Sequence, residues 1–501
     1  MMKNFQIPIS RRDFMKLAGL TTLGTMLSEV NDDNQKIEAA TVDKIFHFDG
    51  AEISTLLSVD ICVCGGGSAG TAAAINAARN GAKVVLIERG ISLGGLQTLG
   101  CVFPCMSTRV DNSDTPYIKE LIQRCKDHGV NPIPPMIEGK EKFINSGMLQ
   151  FPSEILTEIY DEMCEEYGVE ILYNTSIIGV KTSDEKITEC IILTIEGVFS
   201  ISAKIFIDAT GDAVLSRFAG VPVEKGSDKT GRNQPMSFRF EMGGIDEAKV
   251  YNFFTKKYKD DWQVTKPPYY EFAKWKKTEE FYKSGIASGE LTQDDILYIQ
   301  FFSIVGQPNT MSMNCPELPP LGFSSTDTIS YSKAVTFGRK MIRRLAKFFI
   351  KNIPGFKNAY ISREASILGV RESWRIKGKY YMNASDYYER HHFADAVCKT
   401  AYPIDIHDVK LDFAKKLEHG EYYEIPYRAL VTNEIKNLAV VGRCASGSFA
   451  AQASFRIQPT CMSMGEAAGI AAAYGLKNNI AVNAIEWDKI PENHRSYVSQ
   501  G

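Results

Sequence analysis

The sequence predicts an α/β protein: a doubly wound parallel sheet whose domain is split by an inserted α+β domain. Three observations predict it. An apolar run ends in glycines at 65, 67 and 70, then an alanine-rich stretch and a second apolar run, Lys83 to Ile87, follow. From 226 to about 425 the texture changes to aromatics, lysines and long loops, with prolines at 267, 268, 316, 319 and 320. From about 437 the first texture returns, as Asn437 to Arg443 and an Ala/Gly-rich helix. Strands alternating with helical stretches read as βαβ units around a parallel sheet.

The first 40 residues stand apart. Ser10-Arg11-Arg12-Asp13-Phe14-Met15-Lys16 is a twin-arginine motif, followed by a short, weakly apolar stretch from Leu17 to Leu27. Together they read as a Tat-type export signal and linker over 1–40, which implies a periplasmic protein, or otherwise a cytoplasmic one. No other segment approaches the length of a transmembrane span.

Val59 to Cys64 reads as the first strand. Gly65 permits the tight turn out of it, and Gly67 lets the backbone approach a pyrophosphate. Ser68 and Ala69 open a helix whose N-terminal N–H groups and dipole face the phosphates. Gly70 and the alanines let that helix lie close to the sheet. Glu88, 23 residues after Gly65 and followed by Arg89, ends the second strand, where a carboxylate reaches ribose hydroxyls. This is a dinucleotide site.

The first part of the nucleotide domain spans 58–225. Residues 154–167 form an amphipathic helix stopped by Gly168. Three strand regions follow: Glu170 to Tyr173 with Ile177 to Lys181, then Glu189 to Ile195, then Gly197 to Ala203. A separate buried strand, Lys204 to Asp208, runs into Ala209-Thr210-Gly211-Asp212. The inserted substrate or cap domain spans 226–425. In it, Ser237 to Met242 alternates as a half-exposed strand and Thr326 to Phe349 is a helix. The second part of the nucleotide domain spans 426–480, with a helix from about Cys461 to Tyr474, and 481–501 is a C-terminal tail.

Lys and Arg number 57 against 60 Asp and Glu, for a net charge of −3, so the chain lacks the basic character of a nucleic-acid partner. The 11 cysteines include no C-x-x-C pair, and neither they nor the seven histidines show metal spacing. Cys62 and Cys64 read as small core residues.

Four pieces stand in one order: the glycine turn with Glu88; Gly94-Gly95; the Ala209-Thr210-Gly211 strand end; and Gly442 with the helix around Gly465-Glu466-Ala467-Ala468-Gly469. The arrangement resembles the FAD domain of the glutathione-reductase-like flavoproteins. Gly369 to Gly378, Pro426 to Leu430 and Arg456 to Met462 resemble motifs of the bacterial FAD-dependent oxidoreductase family. The resemblance covers about 58–475. It implies a Rossmann-like fold, FAD as cofactor, and FAD contacts from Gly94, Gly95, Ala209, Gly211, Asp212 and Gly442. It also implies that the last helix points its N-terminus at the flavin, with Gln458, Thr460, Cys461 and Met462 nearest the N1–O2 edge. It says almost nothing about the substrate.

Gln97 stands where disulfide reductases carry their first redox cysteine. Cys101 falls near the second, and Cys101 and Cys105 would be one turn apart on a helix. No second G-x-G-x-x-G is present, so electrons pass through the substrate site or a redox carrier. The expected reaction is hydride transfer between flavin N5 and a small organic substrate. Arg371, Arg375, Arg443 and Arg456 are candidates to hold a carboxylate or a flavin phosphate, Arg456 foremost for the substrate. Arg371 and Glu372 could instead pair internally. Tyr427, His391 and His392 are candidates for proton transfer. The alternative function is a flavin-binding protein with a structural flavin, serving a partner or a carbohydrate-processing assembly.

Overall fold

A computed structural model describes residues 53–110, 113–133, 149–257, 271–273, 276–407 and 417–499. The twin-arginine motif and its linker lie outside the described residues. Strand β1 (Thr55–Cys64), helix α1 (Ser68–Arg79) and strand β2 (Val84–Ile87) form the first βαβ unit. β1 and β2 run parallel, with Ile61 beside Val84 and Cys64 beside Ile87. All four residues of β2 are buried, as a strand covered on both faces requires.

Helix α2 (Pro116–Asp127) and helix α3 (Ser153–Tyr167) follow, and α3 ends at Gly168 in the left-handed region, φ 70°. Next come β3 (Glu170–Leu172), β4 (Ser176–Ser183), β5 (Lys186–Leu193) and β6 (Val198–Asp208). The sheet order is β3-β2-β1-β6-β5-β4. The two strands expected over 197–208 are one, Val198–Asp208, because no glycine or proline interrupts that stretch. The first half of β6 pairs antiparallel with β5, from Val198 beside Leu193 to Ser202 beside Glu189.

A second, antiparallel sheet contains β7 (Phe240–Gly243), β8 (Glu271–Ala273), β9 (Gln300–Ile304) and β10 (Gln307–Met313). After helix α4 (Thr328–Asn352) it is completed by β11 (Tyr360–Glu364), in the order β8-β9-β10-β7-β11. One core joins Phe240, Phe301, Met311 and Met313 of this sheet to Met341, Leu345 and Phe349 of α4. Ser237 to Met242 alternates as expected, but its polar side chains are buried too. The Thr98–Cys101 segment reaches this region: Arg363 donates to Thr98 O (2.9 Å), and Ser366 N to Leu99 O (2.7 Å). Arg239 donates to Ser312 Oγ (3.0 Å), and burial raises the Glu241 carboxyl.

The chain then returns to the first core, to which Met382, Val397, Tyr423, Ile425 and Tyr427 belong. Strands β12 (Ala396–Thr400) and β13 (Tyr423–Pro426) pair antiparallel. Strand β14 (Leu438–Val440) lies parallel to the end of β6, Leu438 beside Phe206 and Val440 beside Asp208. Residues more than 200 apart in sequence thus pair in parallel within one sheet, and the nucleotide domain is discontinuous.

Helices α5 (Phe449–Phe455) and α6 (Gln458–Asn478) close the fold. α6 crosses α1 backbone to backbone. A β-carbon on Gly465 would lie 2.0 Å from Ala69 O, and one on Gly469 2.3 Å from Ala73 O. Beyond α6, Trp487 is fully buried in the first core, and Tyr497 and Ser499 donate to Glu424 Oε1 at 2.6 and 2.8 Å. Among the described residues, no helix is long and apolar enough to cross a membrane.

Candidate active site

The turn after β1 has the shape its glycines predict. Gly65 adopts φ 99°, and a β-carbon there would lie 2.6 Å from Ala209 O. A β-carbon on Gly70 would lie 1.8 Å from Gly65 O. Gly67 differs. Its φ is −71°, ordinary for any residue, and a β-carbon there would meet nothing within 4 Å. Gly67 therefore borders open space at the N-terminus of α1, which no side chain caps. Open space beside the uncapped first-turn N–H groups of Ser68, Ala69 and Gly70 is a cradle for phosphate.

Glu88 is buried. Its Oε2 accepts from Gly66 N and its Oε1 from Gly90 N, both at 2.7 Å. Each carboxylate oxygen has a further lone pair for a ribose hydroxyl. Arg89 beside it is exposed. The double glycine abuts the turn: Gly94, at φ 93°, donates to Gly66 O (2.7 Å), and Gly95 faces the α-carbon of Gly67.

Ala209 N donates to Cys64 O (2.8 Å), placing the second strand end against the first. Arg443 then clamps Gly211-Asp212. Its Nε donates to Gly211 O (2.8 Å), one terminal nitrogen to Val370 O (2.6 Å) and the other to Asp212 Oδ1. Three groups of the chain occupy this guanidinium, so Arg443 fixes the turn. The expectation that it holds substrate gives way to this role. Gly442, at φ 80°, puts the chain past Ala69 at the start of α1.

At the N-terminus of α6, the N-cap Ile457 provides no side-chain hydrogen bond. Gln458 donates to Val102 O (2.6 Å) and lies 3.4 Å from Gln97, whose Oε1 accepts from Tyr160. The hydroxyl of Thr460 is buried without a partner. Cys461 donates to Arg456 O (3.3 Å), and burial pushes its thiol up to about 12, so it stays protonated. Met462 is fully buried. The open cradle at Gly67, the acid at 88 and the orphaned hydroxyl at an uncapped helix start fit FAD.

Beside this helix start is a continuous chain of charged side chains. Arg371 meets Glu317 Oε2 at 3.2 Å, and the same oxygen lies 2.6 Å from His407 Nδ1. His407 Nε2 is 3.4 Å from Asp405 Oδ2, which accepts from Arg456 at 3.0 Å. All five side chains are largely buried. Burial alone would raise the Asp405 carboxyl, but His407, Arg456 and Arg371 outweigh it and hold it below the carboxylate range. Burial, with Arg371 nearby, lowers the Arg456 guanidinium against the pull of Asp405. Two donors here lack partners: Arg456 Nε and Gln234 Nε2, the latter on a side chain whose Oε1 faces His407 N.

The structure brings Arg456 and Arg371 together, but neither of the other two arginine candidates, Arg443 and Arg375, nor the proton-transfer candidates joins them. Arg375 is fully buried against Glu372, Glu224 and Gly447 O. The internal ion pair at this place is thus Arg375–Glu372, not Arg371–Glu372. Tyr427 is fully buried, donates to Val482 O (2.9 Å) and stacks on Trp487. His391 is half-buried and lies between Asp386 (2.6 Å) and Glu389 (3.1 Å), which raise its pKa. His392 faces Glu424 at 3.5 Å. Cys101 and Cys105 are buried in different cores and free, and burial raises both thiols, Cys101 to about 12. They do not form a redox pair.

Sequence reading missed Glu317, Asp405, His407 and Gln234. None lies in a motif. The only sequence signal was polar residues amid prolines (Pro235, Pro316 and Pro403), where a loop rather than a helix presents them.

Three solved structures illustrate what this chain is similar to. A geranylgeranyl bacteriochlorophyll reductase-like protein from Thermoplasma acidophilum is 14% identical, with 84% of this chain and 80% of that one covered, at TM-score 0.41. The flavin-dependent brominase Bmp2 is 13% identical, with 86% and 81% covered, at TM-score 0.42. L-proline dehydrogenase from P. horikoshii is 12% identical, with 87% and 97% covered, at TM-score 0.40. No curated protein matches the chain in sequence. The model of one family, described as FAD dependent oxidoreductase, matches residues 60–493, and the chain belongs to that family.

Proposed function

We propose that the protein transfers a hydride between N5 of bound FAD and a carbon of a small polar substrate, held at the chain from Arg371 to Arg456. The observation that carries this reading is the pair of buried, unpartnered donors, Arg456 Nε and Gln234 Nε2, within a charged cluster one residue from the N-cap of α6. Buried donors without acceptors are costly, and a substrate oxygen would satisfy them.

FAD, when bound, supplies the two-electron acceptor or donor. The chain supplies position and charge. Arg456 and Gln234 fix a substrate oxygen, and the α6 N-terminus favours negative charge on the group it faces. Arg371, through Glu317, holds the far end of the cluster.

Export by the Tat route to the periplasm is part of the proposal. It rests on Ser10-Arg11-Arg12 and is tested by locating a tagged full-length chain before and after Arg11→Lys and Arg12→Lys are combined. A redox carrier as second partner rests on the absence of a second nucleotide motif in the sequence.

The test of the reaction is anaerobic bleaching of the yellow holoprotein by acids, sugars and amines, with artificial acceptors or reduced viologens for the reverse direction. Bleaching by one class, lost in Arg456→Ala with FAD retained, supports the reading. Bound FAD that no probe turns over contradicts it and favours a structural flavin serving a partner or a carbohydrate-processing assembly.

A further inference from the structure

We propose that His407 is the acid–base residue of this site, positioned by Glu317, and that the substrate is an uncharged, hydroxyl-bearing molecule oxidised at its carbinol carbon. This inference rests on the hydride-transfer reading above.

The first argument is the tautomer. His407 Nδ1 lies 2.6 Å from Glu317 Oε2, a short contact in which the ring nitrogen donates to the carboxylate. That places a proton on Nδ1. Nε2 is then the atom that exchanges, and its nearest carboxylate oxygen, on Asp405, is 3.4 Å away. Asp405 is already engaged by Arg456 at 3.0 Å. The Glu317–His407 pair is thus the orienting half of an acid–base dyad.

The second argument is charge. With His407 neutral, as a proton acceptor is, the charges of Arg371 and Arg456 are matched by Glu317 and Asp405, and the cluster carries no net charge before any substrate enters. A carboxylate would add an unmatched negative charge in a largely buried site, and an ammonium an unmatched positive one. A hydroxyl adds neither. It donates to His407 Nε2, and its oxygen accepts from Arg456 Nε or Gln234 Nε2, the donors that lack partners. The tyrosines facing the cluster, Tyr298 against the His407 ring and Tyr402 near Asp405 and Arg456, add no charge: burial raises the Tyr402 phenol, which stays protonated.

The step balances. The O–H proton passes to His407 Nε2. The C–H bond breaks with its electron pair, which the bound flavin accepts as a hydride, and a C=O bond forms. The substrate is oxidised by two electrons and the flavin is reduced by two.

Two measurements on the FAD-loaded full chain test the proposal. In the first, the nitrogens of 15N-labelled histidine are observed by NMR, with the His407 signals assigned by their loss in His407→Gln. The expected result is an Nδ1-protonated ring that shifts toward the other tautomer in Glu317→Leu. An Nε2-protonated ring, or one unmoved in Glu317→Leu, overturns the proposal whether or not any substrate is found. In the second, glucose, myo-inositol, glycerol and succinate are mixed anaerobically with the holoprotein. A polyol is expected to bleach the flavin and succinate is not. His407→Gln is expected to slow the bleaching by about 100-fold or more and to remove its pH dependence, with FAD retained. Bleaching at an unchanged rate and pH profile in His407→Gln, or by succinate alone, overturns this inference and leaves the hydride-transfer reading standing. No bleaching by any probe class contradicts both.

Discussion

Arg375 and Glu372 form a fully buried ion pair three residues apart, while Arg371, next to Glu372, pairs instead with Glu317. Arg375 also donates to Gly447 O (2.9 Å) and meets Glu224 (3.1 Å). Gly226 N and Asn233 Nδ2 donate to Glu372, each at 2.8 Å. Adjacent residues therefore serve two purposes. The Arg375 network holds the chain around Gly226 to that around Gly447, and Arg371 belongs to the site.

Glu372→Ala leaves a buried guanidinium short of its counter-charge and is expected to cost about 3–5 kcal/mol. Arg371→Ala removes one ion pair, with a Glu317 that His407 still faces, and one hydrogen bond to Pro235 O (2.6 Å), and is expected to cost about 1–3 kcal/mol. Urea unfolding separates the two. Flavin reduction should separate them the other way: Arg371→Ala keeps FAD and loses turnover. Equal destabilisation by the two variants would contradict the division of roles.

The crossing of α6 over α1 depends on Gly465 and Gly469. Gly469→Ala pushes a methyl group toward Ala73 O, 2.3 Å from the ideal β-carbon, so the helices must separate. Overpacking of this kind costs about 1–3 kcal/mol. A thermal melt should show a fall of at least about 2 °C, with weaker FAD retention because both helix N-termini belong to the nucleotide site. An unchanged melt would mean that the helices do not touch as described.

Glu466 lies inside α6 and accepts from Tyr117 N (3.2 Å) at the start of α2. Burial raises its carboxyl to about 7. Thr115, Tyr117 N and Arg79 oppose the rise, and Glu120 adds to it. A folded pKa above the unfolded value of 4.5 means that the folded state holds the proton more tightly. This group's stabilisation is therefore present below pH 4.5 and is lost as pH rises to about 7. The loss is on the order of 3 kcal/mol at most. Glu466→Gln keeps an acceptor for Tyr117 N and has no titrating proton. Its stability should fall less steeply than that of the parent chain between pH 5 and 7.5, and exceed it at pH 8. Parallel curves would remove Glu466 as the cause.

Much of the nucleotide half was legible in the sequence because its constraints are local. Gly65 must take a left-handed φ, Gly70 must admit a carbonyl, and Glu88 follows at a fixed distance from the turn. Gly168 and α3 were equally readable, from one periodicity and one stop. What was not legible depends on distant partners. Ser237, Arg239 and Glu241 are buried by partners distant in sequence: Gly369 beside Ser237, Ser312 beside Arg239 and Cys101 beside Glu241. Arg375 is structural only because Glu224 approaches it from 151 residues away. His407 and Glu317, 90 residues apart in irregular segments, carry no periodicity and no motif, and meet only in the folded chain.

Gly67 gives the most direct test of the central claim, that the turn at 65–70 is shaped for FAD rather than for folding alone. Its φ suits alanine, and an added β-carbon meets no protein atom within 4 Å. Alanine there also reduces the freedom of the unfolded chain. The measurement is the FAD content and affinity of Gly67→Ala beside the melting temperature of its apoprotein. The account predicts an apoprotein melt equal to or slightly above that of the parent, with FAD affinity reduced at least about tenfold, equivalent to about 1.4 kcal/mol. Unchanged FAD affinity, or an apoprotein that no longer folds, would contradict it.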